Sequence, residues 1–560
     1  MVLSSPRTVA GQAHSAASKV TQLADAFVAE YKRQFPLQAM YSGMPLVVQS
    51  GLDINSPGDL ARWRAFVYGL ESELKGIPSS ELVGRPEWVT RADLLEGIAQ
   101  THMYDICQLE LWNISPYGFV FLLPTVADSQ PVATAKDRRE ALERWHGIAL
   151  WLDQERANLA LGLQHGYAAY RTGVADELSQ VEAFIAEPYA DWPTTVLAKR
   201  AMQPQFTLEL NRIATHEIIP AAERFRDYLR TQYLPHSRTA PSIVGLPQGL
   251  VCLRARLSIT TTVDMEPKAM FDALVERRAE EKKRILALAR QVYGEPELTW
   301  QSFGEKLRHD ARDSYNKTDN IADILSNLIS RVRAAWPRMM STPPPGPLAV
   351  RPGSVDRYVP SSDDGERPAT YLYSGAGAHR EVAESLVMHE TIPGHYLADV
   401  VRRQHGHALH PVARVIFLNG PSEGWATYAE TWAAELGLYS GPFEEMGGLV
   451  NSVTPSAVAE LGMQIAGWNE LQAGTYLRDE TPFDLPTGDP EGVGAIVNLT
   501  GDLEAYPIGA MQYEVLRERT QEALGPHFNS REFHQVLLSD GPLPFWALGE
   551  KVDRWIATQR

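Results

Sequence analysis

Cysteine is scarce in this chain, which has 560 residues and only two cysteines, Cys107 and Cys252. They lie far apart in the sequence and do not form a Cys-x-x-Cys pair, so the sequence predicts neither a disulfide framework nor a thiolate metal site. We expect both side chains to be inert parts of the core.

Long apolar runs are also missing. The longest apolar stretches, 118–123 and 148–152, are far shorter than the about 20 residues that span a bilayer. The N-terminal region has no charged segment followed by an apolar one, and residues 9–35 show the spacing of an amphipathic helix instead of an export signal. The sequence therefore predicts a soluble, cytoplasmic protein with no membrane partner.

Positive charge is in deficit. The chain has 52 Lys and Arg residues against 69 Asp and Glu residues, a formal net charge of -17. No Lys/Arg-rich run offsets this excess locally, so the surface repels phosphate backbones. Nucleic acid is excluded as an expected partner.

What the chain does contain is apolar residues at helical spacing. A hydrophobic content of 44% and a charged content of 22% are typical of globular proteins with a large core. We predict a mainly α fold with a helical scaffold lobe over 1–340, a Pro/Gly-rich connection over 341–369 and a helical metal-binding lobe over 370–560. The β-branched run 257–263 leaves room for a small sheet.

The segment His-Glu-x-x-Pro-Gly-His places His389 and His395 on either side of Glu390. It is a variant of the His-Glu-x-x-His zinc helix. Its histidines are six residues apart, which puts them about 120° apart around a regular helix and about 9 Å apart along it. Because Pro393 cannot donate to the residue 389 carbonyl and Gly394 tolerates unusual dihedral angles, the motif itself predicts a break or bulge.

A third ligand is available downstream at Glu423, on a predicted helix whose apolar stripe includes Trp425. The 27-residue gap after His395 suits a helix end, a turn and a second helix lying alongside. Glu430 lies two turns further on. It is either a surface carboxylate or a group that supports a ligand from behind.

With these motifs the sequence resembles the domain of unknown function 885 family, whose members are expected to be zinc metallohydrolases. The hallmark of that family is His-Glu-x-x-Pro-Gly-His followed by Glu-Gly-Trp-Ala-x-Tyr-x-Glu, and the matching residues here are 389–395 and 423–430. Further matching segments are 246–249, 260–262, 506–509, 533–537 and 541–544. The resemblance implies a large multi-helix, clam-like fold similar to the gluzincin peptidases, with a zinc site in a deep cleft. It also implies peptides or related amides as substrates.

The chain departs from the family pattern at Gln464, where the family typically has a histidine. If that histidine helps to hold the substrate, Gln464 lies on the substrate side and can donate a hydrogen bond without carrying positive charge. Tyr506 is our candidate donor to a developing oxyanion. A core aromatic is the other interpretation of Tyr506.

Two imidazoles and one carboxylate leave a coordination position open, the pattern of catalytic zinc, with Glu390 as general base. We therefore predict a zinc-dependent hydrolase that cleaves a peptide or amide bond in a small peptide-like or N-acyl amino-acid-like substrate. The same ligand set also accepts iron or manganese. The alternative function is a non-hydrolytic metalloenzyme that tailors an amino-acid-like small molecule.

Overall fold

Helices dominate the chain, as the apolar spacing predicts. The computed structural model describes residues 15–559 apart from 115–118, 311, 313–314, 316–319, 345, 362–366, 376–379, 406–408, 482–492, 494–495 and 498–499. Many of the helices begin at sequence features that favour a start. Proline occupies the first turn of several helices, where its missing N–H is not needed, and Ser56 caps a helix by accepting from the Asp59 N–H at 3.1 Å.

The first part of the chain forms the helices α1 (Ala16–Gln34), α2 (Pro36–Tyr41), α3 (Pro57–Lys75), α4 (Pro86–Cys107), α5 (Phe119–Ser129), α6 (Ala135–Gln164), α7 (Arg171–Ala186), α8 (Pro193–Ala201), α9 (Pro204–Ile213), α10 (Ile219–Tyr228), α11 (Gly249–Thr261), α12 (Pro267–Tyr293), α13 (Trp300–Arg308), α14 (Ile321–Ala334) and α15 (Trp336–Met339). Two π-helical turns, Ala214–Ile218 and Leu229–Tyr233, follow α9 and α10.

The last part forms α16 (Arg380–Glu390), α17 (His395–His405), α18 (Asn419–Glu435), α19 (Pro442–Val450), α20 (Thr454–Ile465), α21 (Glu470–Glu480), α22 (Ala505–Leu524), α23 (Ser530–Leu538) and α24 (Phe545–Gln559). Two close contacts fix how α18 crosses its neighbours. A Cβ on Gly424 would lie 2.4 Å from the Cα of Gly509 on α22, and a Cβ on Gly420 would lie 2.4 Å from the Thr261 carbonyl oxygen of α11. Only glycine allows these backbones to approach so closely.

A small sheet lies within and just after the Pro/Gly-rich connection, not where the sequence suggested it. Strands β1 (Ala349–Pro352), β2 (Arg357–Val359) and β3 (Thr370–Tyr373) form the order β1-β3-β2, with β1 parallel and β2 antiparallel to β3. The run 257–263 is not a strand, because most of it belongs to α11. Residues 345 and 362–366 of the connection lie outside the described residues.

One cluster of buried apolar side chains joins helices from both sides of the connection. It includes Phe27 on α1 and Ile98 on α4, and it continues through Val387 on α16 to Ile556 on α24. The first helices of the chain therefore pack against the same core as the metal-binding motif. The division into lobes at 341–369 stays a prediction.

Both cysteines lie in the core, as expected, but the expectation that they form no disulfide is wrong. Cys107, the last residue of α4, and Cys252, in the first turn of α11, form a disulfide across a sequence separation of 145 residues. Their distance in the sequence does not oppose pairing, because α4 and α11 pack against each other and bring the two positions together.

We expect the double variant Cys107→Ser, Cys252→Ser to fold with a free energy of unfolding lower by about 2–5 kcal/mol, since the cross-link restricts the unfolded chain. Chemical denaturation of both proteins measures the difference. Reductant should lower the stability of the wild type and leave the variant unchanged. Two titratable thiols in the denatured, unreduced wild type would contradict the disulfide.

Across the part of the chain that the structure describes, no helix is long and apolar enough to cross a bilayer.

Candidate metal centre

His389 lies in the last turn of α16, whose buried side chains include Val382, Val387 and Met388. The predicted break follows at once, since α16 ends at Glu390 and α17 begins at His395. The predicted break between the two histidines is therefore confirmed.

In the turn between α16 and α17, hydrogen bonds that span six residues replace the helical ones that span four. The Gly394 N–H donates to the Met388 carbonyl at 2.9 Å, and the Leu397 N–H donates to the Thr391 carbonyl at 3.1 Å. A Cβ on Gly394 would lie 1.8 Å from the His389 carbonyl oxygen, so the turn requires glycine there. The turn takes up the two residues by which this motif exceeds the spacing of the standard zinc helix, and His395 therefore lies on the same side as His389.

Trp425 holds this turn from the facing helix α18. Its indole N–H donates to the carbonyls of Pro393 and Gly394, each at 3.2 Å. The tryptophan of the downstream Glu-Gly-Trp-Ala segment therefore fixes the turn that brings the two histidines together.

The three predicted ligands converge. One ligand atom from each of His389, His395 and Glu423 lies within 4.8 Å of the other two. The Nε2 atoms of His389 and His395 are 3.2 Å and 3.4 Å from the same Glu423 oxygen. Two imidazole nitrogens and a carboxylate oxygen at this spacing match the donor set of a catalytic zinc site.

The charges of the cluster are strongly coupled. Burial opposes the charged form of His389, but hydrogen bonds to Glu423 and Glu430 outweigh it and raise its pKa well above the usual value. For Glu423, burial raises the pKa, and hydrogen bonds with both histidines overcome this and lower it. In the absence of an ion the cluster therefore favours a protonated imidazole beside a carboxylate, and a cation can replace that proton.

Glu430 orients the first ligand. Its carboxylate accepts a hydrogen bond from His389 Nδ1 at 2.9 Å and another from the Ser385 hydroxyl. An Nδ1–H that is held in this way leaves Nε2 free to bind a metal. The supporting role of Glu430 is therefore the interpretation that the structure favours over a surface carboxylate.

Glu390 is buried beside the ligands, and the Tyr358 backbone N–H on β2 donates to its Oε2 at 2.7 Å. Sequence reasoning missed Tyr358 and Ser385. A backbone donor has no sequence signature, and Tyr358 lies in the predicted Pro/Gly-rich connection, where the sequence does not indicate a strand. Ser385 does carry a weak signal, since it precedes His389 by one helical turn and so lies on the same face of α16.

Tyr506 lies in the first turn of α22, with its ring centroid 6.1 Å from that of His389 and the rings nearly parallel. Burial raises the pKa of its hydroxyl, and the negative charges of Glu423 and Glu390 raise it further. Tyr506 therefore keeps its proton at neutral pH and can act as a hydrogen-bond donor.

A cavity of about 770 Å³ opens on this cluster. Its wall includes the three ligands together with Glu390, Glu430 and Tyr506. Gln464 does not belong to that wall, contrary to the expectation. Its amide accepts from the Ile243 N–H at 2.8 Å and donates to the Thr500 hydroxyl at 3.3 Å, so it is engaged in the core.

A pair of fully buried carboxyl groups lies near the start of α22: Glu460 on α20 and Glu504 at the start of α22 itself. Burial raises the pKa of both, and the charge of Glu460 raises that of Glu504 further. Asp502 and Arg256 also act on this pair. Because two such close carboxylates cannot both ionise easily, the folded protein retains a proton there.

We predict that Glu504→Gln stabilises the protein above neutral pH. A raised pKa in the folded state means that the unfolded chain ionises above about pH 4.3 while the folded chain stays protonated, so the free energy of unfolding falls as pH rises. The amide removes this loss. Thermal unfolding should give a higher Tm for the variant at pH 8 and nearly the same Tm at about pH 4, where the unfolded carboxyl is still largely protonated, with exposed Glu518→Gln unchanged at both. A lower Tm at pH 8 for Glu504→Gln would show that the pair is ionised and needed.

The sequence profile of a family of bacterial proteins of unknown function, DUF885, matches residues 36–552. Among solved structures, a protein of Colwellia psychrerythraea described as a "putative lipoprotein" covers 97% of this chain and 100% of its own, with a TM-score of 0.85 and 18% identity. A Shewanella oneidensis protein, described as a "putative lipoprotein of unknown function", covers 96% of this chain and 99% of its own, with a TM-score of 0.79 and 18% identity. No curated protein matches the chain significantly. At this identity the two structures establish the fold alone.

Proposed function

The chain belongs to the bacterial DUF885 family, and we propose that it is a metal-dependent hydrolase of peptide or amide bonds in small substrates. The observation that carries the proposal is the convergence of His389, His395 and Glu423 on one cavity, with Glu390 beside them. A purely structural metal site would not need an uncoordinated carboxylate in the same wall.

The residues fit zinc. The two imidazoles and the carboxylate would supply three ligands, Glu430 orients the first histidine, and a four-coordinate zinc would keep one position for water or substrate. When bound, the ion supplies a Lewis acid that polarises a carbonyl and makes water more acidic. Iron or manganese suits the same donor set.

The chain's own residues then divide the proton chemistry. Glu390, held by the Tyr358 N–H, accepts a proton from the attacking water and delivers it to the leaving amine. The protonated Tyr506 hydroxyl donates to the oxygen on which negative charge develops. The two carboxylates have different roles because Glu423 faces both imidazoles, whereas Glu390 is hydrogen-bonded to the sheet.

The non-hydrolytic alternative rests on departures from the family pattern on the substrate side, of which Gln464 is one. Since that side chain lies in the core, its difference from the family pattern does not argue for a changed substrate wall. We therefore retain hydrolysis as the proposal.

The cytoplasmic location predicted from the sequence stays a prediction. The disulfide between Cys107 and Cys252 weighs against it, because disulfides persist mainly in oxidising compartments.

The proposal is tested by metal analysis of protein purified without added metal, followed by turnover assays on dipeptides and N-acyl amino acids. We expect about one ion per chain, and turnover that a chelator abolishes and zinc restores. Full activity of the metal-free protein would refute a metal-dependent hydrolase.

A further inference from the structure

Four arginines are among the described residues that line the cavity, and three of them are neutralised by carboxylates. Arg277 binds Glu514 at 2.7 Å, Arg284 binds Glu445 at 2.8 Å and Arg402 binds Asp399 at 2.7 Å. The fourth is Arg357, which is exposed and has no acidic partner within the described part of the chain.

The acidic side chains of the same wall already have partners. Besides the carboxylates at the metal centre, Glu281 accepts from the Thr454 hydroxyl at 2.7 Å, and Asp356 accepts from the Tyr371 hydroxyl at 2.8 Å. Arg357 is therefore the arginine of this wall that forms no ion pair with the described residues, and its guanidinium is open to a ligand.

The position of Arg357 is fixed relative to the reaction centre. It precedes Tyr358 on β2, and the Tyr358 N–H donates to Glu390. The Tyr358 side chain turns to α17, where its hydroxyl donates to Asp399 at 2.8 Å. Because successive side chains on a strand point to opposite faces, the Arg357 side chain does not take part in the packing against α17. It stays exposed at the rim of the cavity, one residue from the backbone N–H that binds Glu390.

We propose that Arg357 binds a free carboxylate of the substrate. The inference rests on the proposed function and narrows it to amides that carry a carboxylate near the scissile bond, such as N-acyl amino acids and short peptides that end there. A guanidinium binds a carboxylate with two parallel hydrogen bonds, which gives orientation as well as affinity. An anchor at this rim would align the amide between the metal ligands and Glu390.

The test is binding to the zinc-loaded protein, measured by calorimetry. The two probes are a peptide hydroxamate that ends in phenylalanine with a free carboxylate, and the same hydroxamate ending in phenylalanine amide. The wild type should bind the free acid about tenfold more tightly, in line with a charge-assisted hydrogen bond. Arg357→Ala should lose this preference while binding the amide probe like the wild type, which also shows that it is folded.

The matched control is Arg351→Ala, which removes an exposed arginine from β1 of the same sheet and outside the cavity wall; it should keep the preference. Arg357→Lys should retain part of it, because charge remains but the two-pronged geometry is lost. An equal affinity of the wild type for both probes, or a preserved preference in Arg357→Ala, would overturn the inference while leaving the hydrolase intact. If neither probe binds the zinc-loaded wild type, the open metal site and the inference fail together.

Discussion

Replacing Glu390 with glutamine is expected to lower kcat at least about 10²-fold, the usual contribution of general base catalysis, while the protein keeps its fold and its metal. The amide has the size of the carboxylate, and its oxygen can still accept from the Tyr358 N–H that binds Glu390 at 2.7 Å. It cannot take a proton from water. The variant therefore separates chemistry from binding.

Rate and metal content must be measured on the same preparation of Glu390→Gln. A suitable control is Glu435→Gln on α18, whose carboxylate pairs with Arg517 outside the cavity wall and whose loss should leave kcat unchanged. A Glu390→Gln enzyme that retains more than about a tenth of the wild-type rate would be incompatible with a general base at this position and would favour the non-hydrolytic alternative.

The sequence predicted the residues of the candidate metal centre better than those of the cavity wall, for a physical reason. His389, Glu390 and His395 lie in one short segment, and the local chemistry of Pro393 and Gly394 is enough to predict the break between the helices. His389, Glu390 and His395 therefore follow from short-range constraints, whereas Glu423 meets them through the packing of α18. Gln464 was placed by analogy with a family pattern, and only tertiary packing decides that its amide bonds to Ile243 and Thr500.

The same distinction applies to the fold. Helices follow from apolar spacing: the spacing over 545–559 predicts a helix, and α24 has these same bounds. The sheet and the disulfide depend on contacts between distant segments. Strand β2 is three residues long and pairs with β3 across the connection, while Cys107 and Cys252 meet only because α4 packs on α11. Neither pairing has a local signal that periodicity can detect.

Removing any one of the three ligands is expected to empty the metal centre. His389→Ala, His395→Ala and Glu423→Ala each leave two donors where zinc needs three protein ligands and an open position. The metal content should fall from about one ion per chain to nearly none, and hydrolysis should fall with it. Elemental analysis after dialysis measures the first effect.

The loss of metal should be smaller for a side chain that would support the ion only through a ligand. Glu430 binds His389 Nδ1, so Glu430→Ala should weaken metal affinity by the about 10- to 100-fold that is typical of an outer contact. The ligand variants should lose more than this. Glu435→Ala removes a carboxylate from the same helix, but one paired with Arg517, and should retain the full metal content. If Glu423→Ala kept as much metal as Glu435→Ala, the third ligand would have to be another residue, and the convergence of Glu423 with the two imidazoles would reflect only their hydrogen bonds.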